Sequence, residues 1–122
     1  MSDDLRTILL EQVERLLADQ AGPDLLRANE RGEFPAALWA EAEALGLPTA
    51  LAPEALGGAG LGWGDAVAVW QVLGRNAAPI PLGESMVAAA LLAAGGIAPR
   101  AGLLGLSVGT APIAWAGRPR RW

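Results

Sequence analysis

Residues 2–23, SDDLRTILLEQVERLLADQAGP, carry the clearest structural signal in the chain. Apolar side chains recur there at steps of three and four residues, the spacing of one face of an α-helix. This apolar stripe consists of Leu5, Ile8, Leu9, Val13, Leu16 and Leu17. Ser2 is placed to cap the helix, and Gly22 with Pro23 is placed to end it. The sequence therefore predicts that the fold begins with an amphipathic helix.

Three further helical stretches follow this first helix. A short polar helix is predicted over residues 24–32, and Pro35 opens a third helix. Gly46 is suited to the left-handed conformation in which helices often end, so it marks the end of the third helix. Asp65 is placed to cap a fourth helix that runs to about Gly74. That helix is apolar nearly all round, which predicts that it is buried.

The character of the sequence changes after the fifth helix, which is predicted from Leu82 to Ala94. Two apolar segments, 102–108 and 113–116, are bounded by Gly and Pro and are typical of short strands. Two strands do not make an independently stable sheet. We therefore expect an all-α fold, a small orthogonal bundle of about five helices in a domain at 1–96. We expect one or two short strands at 97–122 to begin a β domain that is truncated.

The residue types that are missing exclude many kinds of site. The 122 residues include no Cys, no His and no Tyr, and all nine basic residues are Arg. These absences exclude disulfides, thiolate and imidazole metal ligands, Ser-His-Asp triads, Lys Schiff bases and Walker A loops. We therefore predict no catalytic residue and no metal site in this chain.

The net charge of −4 is unevenly distributed along the chain. Residues 1–75 carry twelve acidic and five basic side chains, whereas residues 76–122 carry one acidic and four basic ones. Nucleic acid is not expected as a partner of an acidic chain. Residues 85–117 contain Arg100 as their only charge, but Gly and Pro interrupt them too often for a membrane span. With no signal peptide predicted at the N-terminus, we expect a cytoplasmic protein without a membrane segment.

A glycine-rich loop, GGAGLGWG at residues 57–64, lies before the fourth helix. The dinucleotide-binding fingerprint needs a glycine at its first, third and sixth positions. A motif that starts at Gly58 or at Gly60 has another residue at the sixth position. The loop is therefore predicted to be a tight turn that presents Trp63, and the other helical tryptophans, Trp39 and Trp70, are predicted to pack in the interior.

Short segments between residues 38 and 96 keep a recognisable order and spacing. They are LWAE and LGL (38–41 and 45–47), APE and GGAG (52–54 and 57–60), LGR (73–75), and APIPLGES leading into ALLAAG (78–85 and 90–95). In this order they resemble the N-terminal helical domain of the FAD-dependent acyl-CoA dehydrogenases. The family commonly places an aromatic residue where this chain has Leu56.

The resemblance implies a function for the protein to which this chain contributes. Members of the family oxidise an acyl-CoA thioester across its α–β carbon bond. Their carboxylate base lies in a C-terminal bundle, and most FAD contacts come from the middle and C-terminal domains, so this chain alone is not expected to be catalytic. The N-terminal domain forms one wall of the acyl pocket, and the helix after Pro81 lines it. The substrate-binding residues implied by position are Leu82, Ser85, Met86 and Ala89. The alternative is that this helix face only packs against the absent domains.

The implied partners are the acyl-CoA substrate and the remaining domains or subunits of a dehydrogenase, with a homo-oligomer expected for the complete protein. A second hypothesis is a stand-alone helical interaction subunit that packs on a partner chain of an acyl-CoA dehydrogenase-like complex. A structural protein without a ligand is the third. A coding sequence that continues past Trp122 favours the first hypothesis, and a natural stop there together with a co-purifying chain favours the second.

Overall fold

The computed structural model of the protein describes residues 3–100 and 102–106. Within these ranges the helices are α1 (Asp3–Gln20), α2 (Pro23–Glu30), α3 (Ala36–Ala44), α4 (Trp63–Arg75) and α5 (Leu82–Ala94). Two 3₁₀ turns, Leu47–Thr49 and Glu54–Leu56, connect α3 to α4. The described residues form no strand, so the prediction of an all-α fold with about five helices is confirmed for this part of the chain.

Helix α1 packs on the rest of the domain through the predicted apolar stripe. Val13 and Leu17 are buried, whereas Leu5 and Ile8 are 56% and 51% exposed. The stripe is therefore confirmed in its C-terminal part, and the first turns of α1 extend beyond the core. The predicted cap, Ser2, lies outside the described residues.

Helices α1 and α4 lie side by side and run in the same direction. Near the start of both helices, the Arg6 guanidinium donates to the Asp65 carboxylate. Towards their ends, Arg75 Nη2 donates to Glu14 Oε1 at 2.8 Å. The two ion pairs hold the helices in register, and the apolar side chains between them pack into the core.

The core is formed where α1, α3, α4 and α5 meet the first 3₁₀ turn. Its fully buried large side chains include Val13, Leu38, Leu47, Leu82 and Met86. Gly46 precedes the turn with φ +73°, which confirms its predicted left-handed conformation. This glycine lets the chain reverse after α3, so that the turn Leu47–Thr49 packs against α5.

The prediction that α4 is buried all round is wrong for the described chain. Ala66, Val69 and Val72 are buried, but Trp63 is 56% and Val67 is 45% exposed. The physical reason is that α1 and the core cover only one side of α4. An apolar residue on the other side of the helix therefore faces outward.

The predicted strand 102–108 is also wrong where the structure describes it, because residues 102–106 form neither helix nor strand. Side chains of the helical domain, described below, bind the backbone groups that a neighbouring strand would bind. Residues 107–108 and the second predicted strand, 113–116, lie outside the described residues. The domain boundary between residues 96 and 97 stays a prediction.

Candidate functional site

Helix α5 carries the four residues that the family resemblance implies to be substrate-binding: Leu82, Ser85, Met86 and Ala89. From Ser85 to Ala94 it contains no charged side chain and is rich in Ala, which favours helix. Its end is a Schellman motif, in which Gly96 has φ +79° and its N–H donates to the Ala93 carbonyl at 2.9 Å. The Ile97 N–H donates to the Leu92 carbonyl, also at 2.9 Å, which completes the motif.

The structure brings Leu82, Ser85, Met86 and Ala89 together on one face of α5. All four residues are 0% exposed. This face belongs to the interior of the described chain, where α5 packs against the first 3₁₀ turn. The predicted grouping of these residues on one face is present, and in this structure the face is covered by the protein's own residues.

Trp70 of α4 lies against α5, and Trp63 in turn packs against Trp70. Trp70 Nε1–H donates to the Met86 sulfur at 3.4 Å. The same indole lies against Gly83, where an added Cβ would meet Trp70 Nε1 at 3.5 Å. Trp63 packs edge-on against Trp70, with ring centroids 6.4 Å apart. The half-buried side chain of Trp70 therefore connects α4 to α5. The glycine-rich turn presents Trp63 at the surface, as predicted.

Ser85 is one of two buried polar or charged residues in the described part of the chain. Its Oγ donates to the Leu104 carbonyl at 2.8 Å and accepts from the Leu104 N–H at 3.2 Å. Sequence reasoning placed Ser85 in the site but missed Leu104. The two residues are 19 positions apart, and no local pattern links them.

Asp65 is the other buried polar residue, at 4% exposure. Its Oδ1 accepts from Arg6 Nε at 2.5 Å, and its Oδ2 accepts from the Gly62 N–H at 3.3 Å. The hydrogen bond from Arg6, assisted by the one from Gly62, lowers the pKa of Asp65 although burial acts to raise it. Asp65 does bind the start of α4, as predicted, but α4 begins at Trp63 with Gly62 as its N-cap, so Asp65 is the third residue of the helix and its side chain reaches back to the Gly62 N–H. No local sequence pattern predicts that Arg6 is the partner of Asp65.

Glu14 forms the corresponding polar contact at the far end of α4. Its two carboxylate oxygens accept from Arg75 at 2.8 Å and from Asn76 at 3.4 Å. The hydrogen bond from Arg75 lowers the pKa of Glu14. Both acidic groups with a shifted pKa thus serve to join α1 to α4, and each is already hydrogen-bonded within the domain.

The remaining described residues add no unpartnered buried polar side chain and no cluster of metal ligands. In 3–100 and 102–106, every buried side-chain nitrogen or oxygen has a hydrogen-bond partner. Nowhere in the same ranges do three or more acidic side chains come together as metal ligands. Among the described helices, none has both the length and the apolar character needed to cross a membrane.

Comparison with known proteins identifies relatives of the whole helical region. A family model described as acyl-CoA dehydrogenase, N-terminal domain, matches residues 3–108, a range that includes all five described helices. The chain is 43% identical over 94 residues to the acyl-CoA dehydrogenase IpdE2 of Mycobacterium tuberculosis. The match covers 73% of this chain and 29% of that relative, so the chain spans less than a third of the relative's length. No solved structure matches the chain at a significant level.

Proposed function

Because the chain belongs to the acyl-CoA dehydrogenase family, as an N-terminal domain, we propose that it is part of an enzyme that oxidises an acyl-CoA thioester between its α and β carbons. The observation that carries this proposal is the family match over residues 3–108. The two buried polar side chains of the described residues, Asp65 and Ser85, are both hydrogen-bonded within the domain, and in our proposal the base that removes the α proton lies in another part of the enzyme. The domain's contribution is therefore to shape the site rather than to react.

The family is generally FAD-dependent, and bound FAD supplies the acceptor for the hydride that leaves the β carbon. In our proposal, most of the flavin contacts belong to other parts of the dehydrogenase.

Helix α5 is the proposed wall of the acyl pocket. An acyl chain needs a largely apolar surface, and three of the four residues of this face, Leu82, Met86 and Ala89, are apolar. In the described chain, the first 3₁₀ turn and residues 102–106 lie against α5. Because the whole face is 0% exposed, an acyl chain can contact it only when residues 102–106 and the first 3₁₀ turn both move away from it.

We expect the complete protein that contains this chain to purify with FAD and to reduce an artificial electron acceptor only when acyl-CoA is present. The visible absorption spectrum measures the flavin, and bleaching of a redox dye measures the reaction. CoA without an acyl group is the control substrate. A well-folded complete protein with neither flavin nor acyl-CoA-dependent dye reduction would refute the proposal.

The wall role of α5 is tested by Ala89→Val in the complete enzyme. The added methyl groups narrow the proposed pocket, so kcat/KM for a long acyl chain should fall about tenfold relative to that for a short one. Ala94→Val, at the exposed end of the same helix, is the matched control and should leave this ratio unchanged. The ratio of two substrates removes any general loss of folded enzyme. An equal loss for both chain lengths would count against the wall role.

The stand-alone interaction subunit is the second candidate, and the exposed apolar side chains of α4 favour it. Trp63 and Val67 are 56% and 45% exposed, which suits a surface that another polypeptide covers. The same purification separates the two candidates. Flavin and activity in one continuous polypeptide support the dehydrogenase domain, whereas a separate flavin-carrying chain that co-purifies with this one supports the subunit.

A further inference from the structure

Residues 102–106 are attached to the helical domain through three side chains that bind their backbone. The Gly102 N–H donates to Glu43 Oε2 at 3.2 Å. The Leu104 N–H and carbonyl both bind the Ser85 hydroxyl, at 3.2 and 2.8 Å. The Leu106 N–H donates to Glu84 Oε1 at 2.8 Å.

These contacts involve every second residue of the segment. In an extended chain, alternate residues present their N–H groups to the same side, where a neighbouring strand would normally accept them. Here the acceptors are side chains of α3 and α5 instead of a strand backbone. The helical domain thus provides a row of side-chain partners for the backbone of alternate residues in this segment.

Ser85 is the central member of this row and the most deeply buried, at 0% exposure. A hydroxyl can donate one hydrogen bond while accepting another, so one small side chain binds both the N–H and the carbonyl of Leu104. Alanine would leave both backbone groups without this partner. The side chain of Leu103, next to Leu104, packs against the core at the same place.

We propose that Ser85, assisted by Glu84 and Glu43, is an anchor that fixes the backbone of residues 102–106 on the helical domain. Ser85 is a positioning residue in this proposal, because it determines where the polypeptide that follows α5 leaves the domain. The anchor also keeps the segment over α5. Direct contact between an acyl chain and the Ser85 face then requires the anchor to release. The anchor itself rests on the hydrogen bonds above and does not depend on the proposed enzymatic function.

The test is residue-resolved amide hydrogen exchange by NMR on the full 122-residue chain. In Ser85→Ala, the amides of Leu104 and Leu106 should exchange about tenfold faster, the factor expected for one lost hydrogen bond, while amides in α1 to α4 keep their rates. The response of Leu106 is decisive, since its own acceptor, Glu84, is unchanged in this variant. Ser85→Cys nearly preserves the side-chain volume, but a thiol is a weak hydrogen-bond donor and acceptor. This variant should therefore behave like Ser85→Ala.

A second pair of variants tests the anchor at its exposed end. Glu84→Ala should accelerate exchange at Leu106 and Leu104, whereas Glu84→Gln keeps an acceptor oxygen and should preserve the slow rates. This pair decides the question if Ser85→Ala does not fold. The proposal is overturned if Leu104 and Leu106 exchange freely in the unmodified chain, if only the residue bonded to the altered side chain responds, or if all helices lose protection equally.

Discussion

Replacement of Gly58 with alanine is expected to lower the free energy of unfolding by about 3 kcal/mol. An added Cβ at this position would lie 2.0 Å from the Ala52 carbonyl oxygen and 2.6 Å from that of Thr49. Both neighbours are backbone atoms, so they cannot rotate away as a side chain could. Loop hydrogen bonds such as the one from Gly60 N–H to the Ala52 carbonyl, at 2.8 Å, would have to break for the methyl group to fit.

Urea unfolding followed by tryptophan fluorescence measures this loss. Gly74→Ala is the matched control, because the same substitution in α4 meets open space. The control should be neutral or stabilising by up to about 1 kcal/mol, since alanine favours helix over glycine. Equal free energies of unfolding for the two variants would show that Gly58 does not pack closely against the Ala52 backbone.

Asp65→Ala is expected to lower the free energy of unfolding by about 2 kcal/mol at neutral pH. The variant removes the acceptor of the Gly62 N–H at the start of α4 and the partner of Arg6 in α1. A fully buried ion pair would cost more, but the Arg6 side chain is 42% exposed and water can solvate its charge once the partner is gone. Arg6→Ala should cost less than Asp65→Ala, because only the aspartate also binds the helix start.

The same residue predicts the direction of the pH dependence. Since the pKa of Asp65 is lower in the folded chain than in the unfolded chain, its contribution is complete above the ordinary aspartate pKa of about 3.9. Stability is then lost as the pH falls through the lower pKa of the folded state. Asp65→Asn should lack this part of the acid sensitivity, while Glu14→Gln, at an exposed ion pair, should change it less. Unfolding curves from roughly pH 7 to 3 measure the effect, and an unchanged acid slope in Asp65→Asn would contradict it.

Local patterns were sufficient for the helices and for the grouping of the candidate residues. The bounds of α5 follow from Pro81 before it and the glycine pair after it, and three- and four-residue steps place Leu82, Ser85 and Met86 on one face. Local signals of this kind act between residues that are close in the chain. Helix bounds and helix faces can therefore be predicted from them without knowing which distant residues are in contact.

The hydrogen-bond partners of side chains, and the extent to which side chains are buried, depended on contacts between residues far apart in the chain. Arg6 and Asp65 are 59 positions apart and Ser85 and Leu104 are 19 apart, and neither pairing has a periodic or motif signature. The error for α4 has the same origin, because an apolar residue such as Val67 is buried only if another element covers it. The composition and periodicity of the sequence indicate which side chains are apolar and therefore favour burial. The packing of α1 and the core against one side of α4 determines which of these side chains are actually buried.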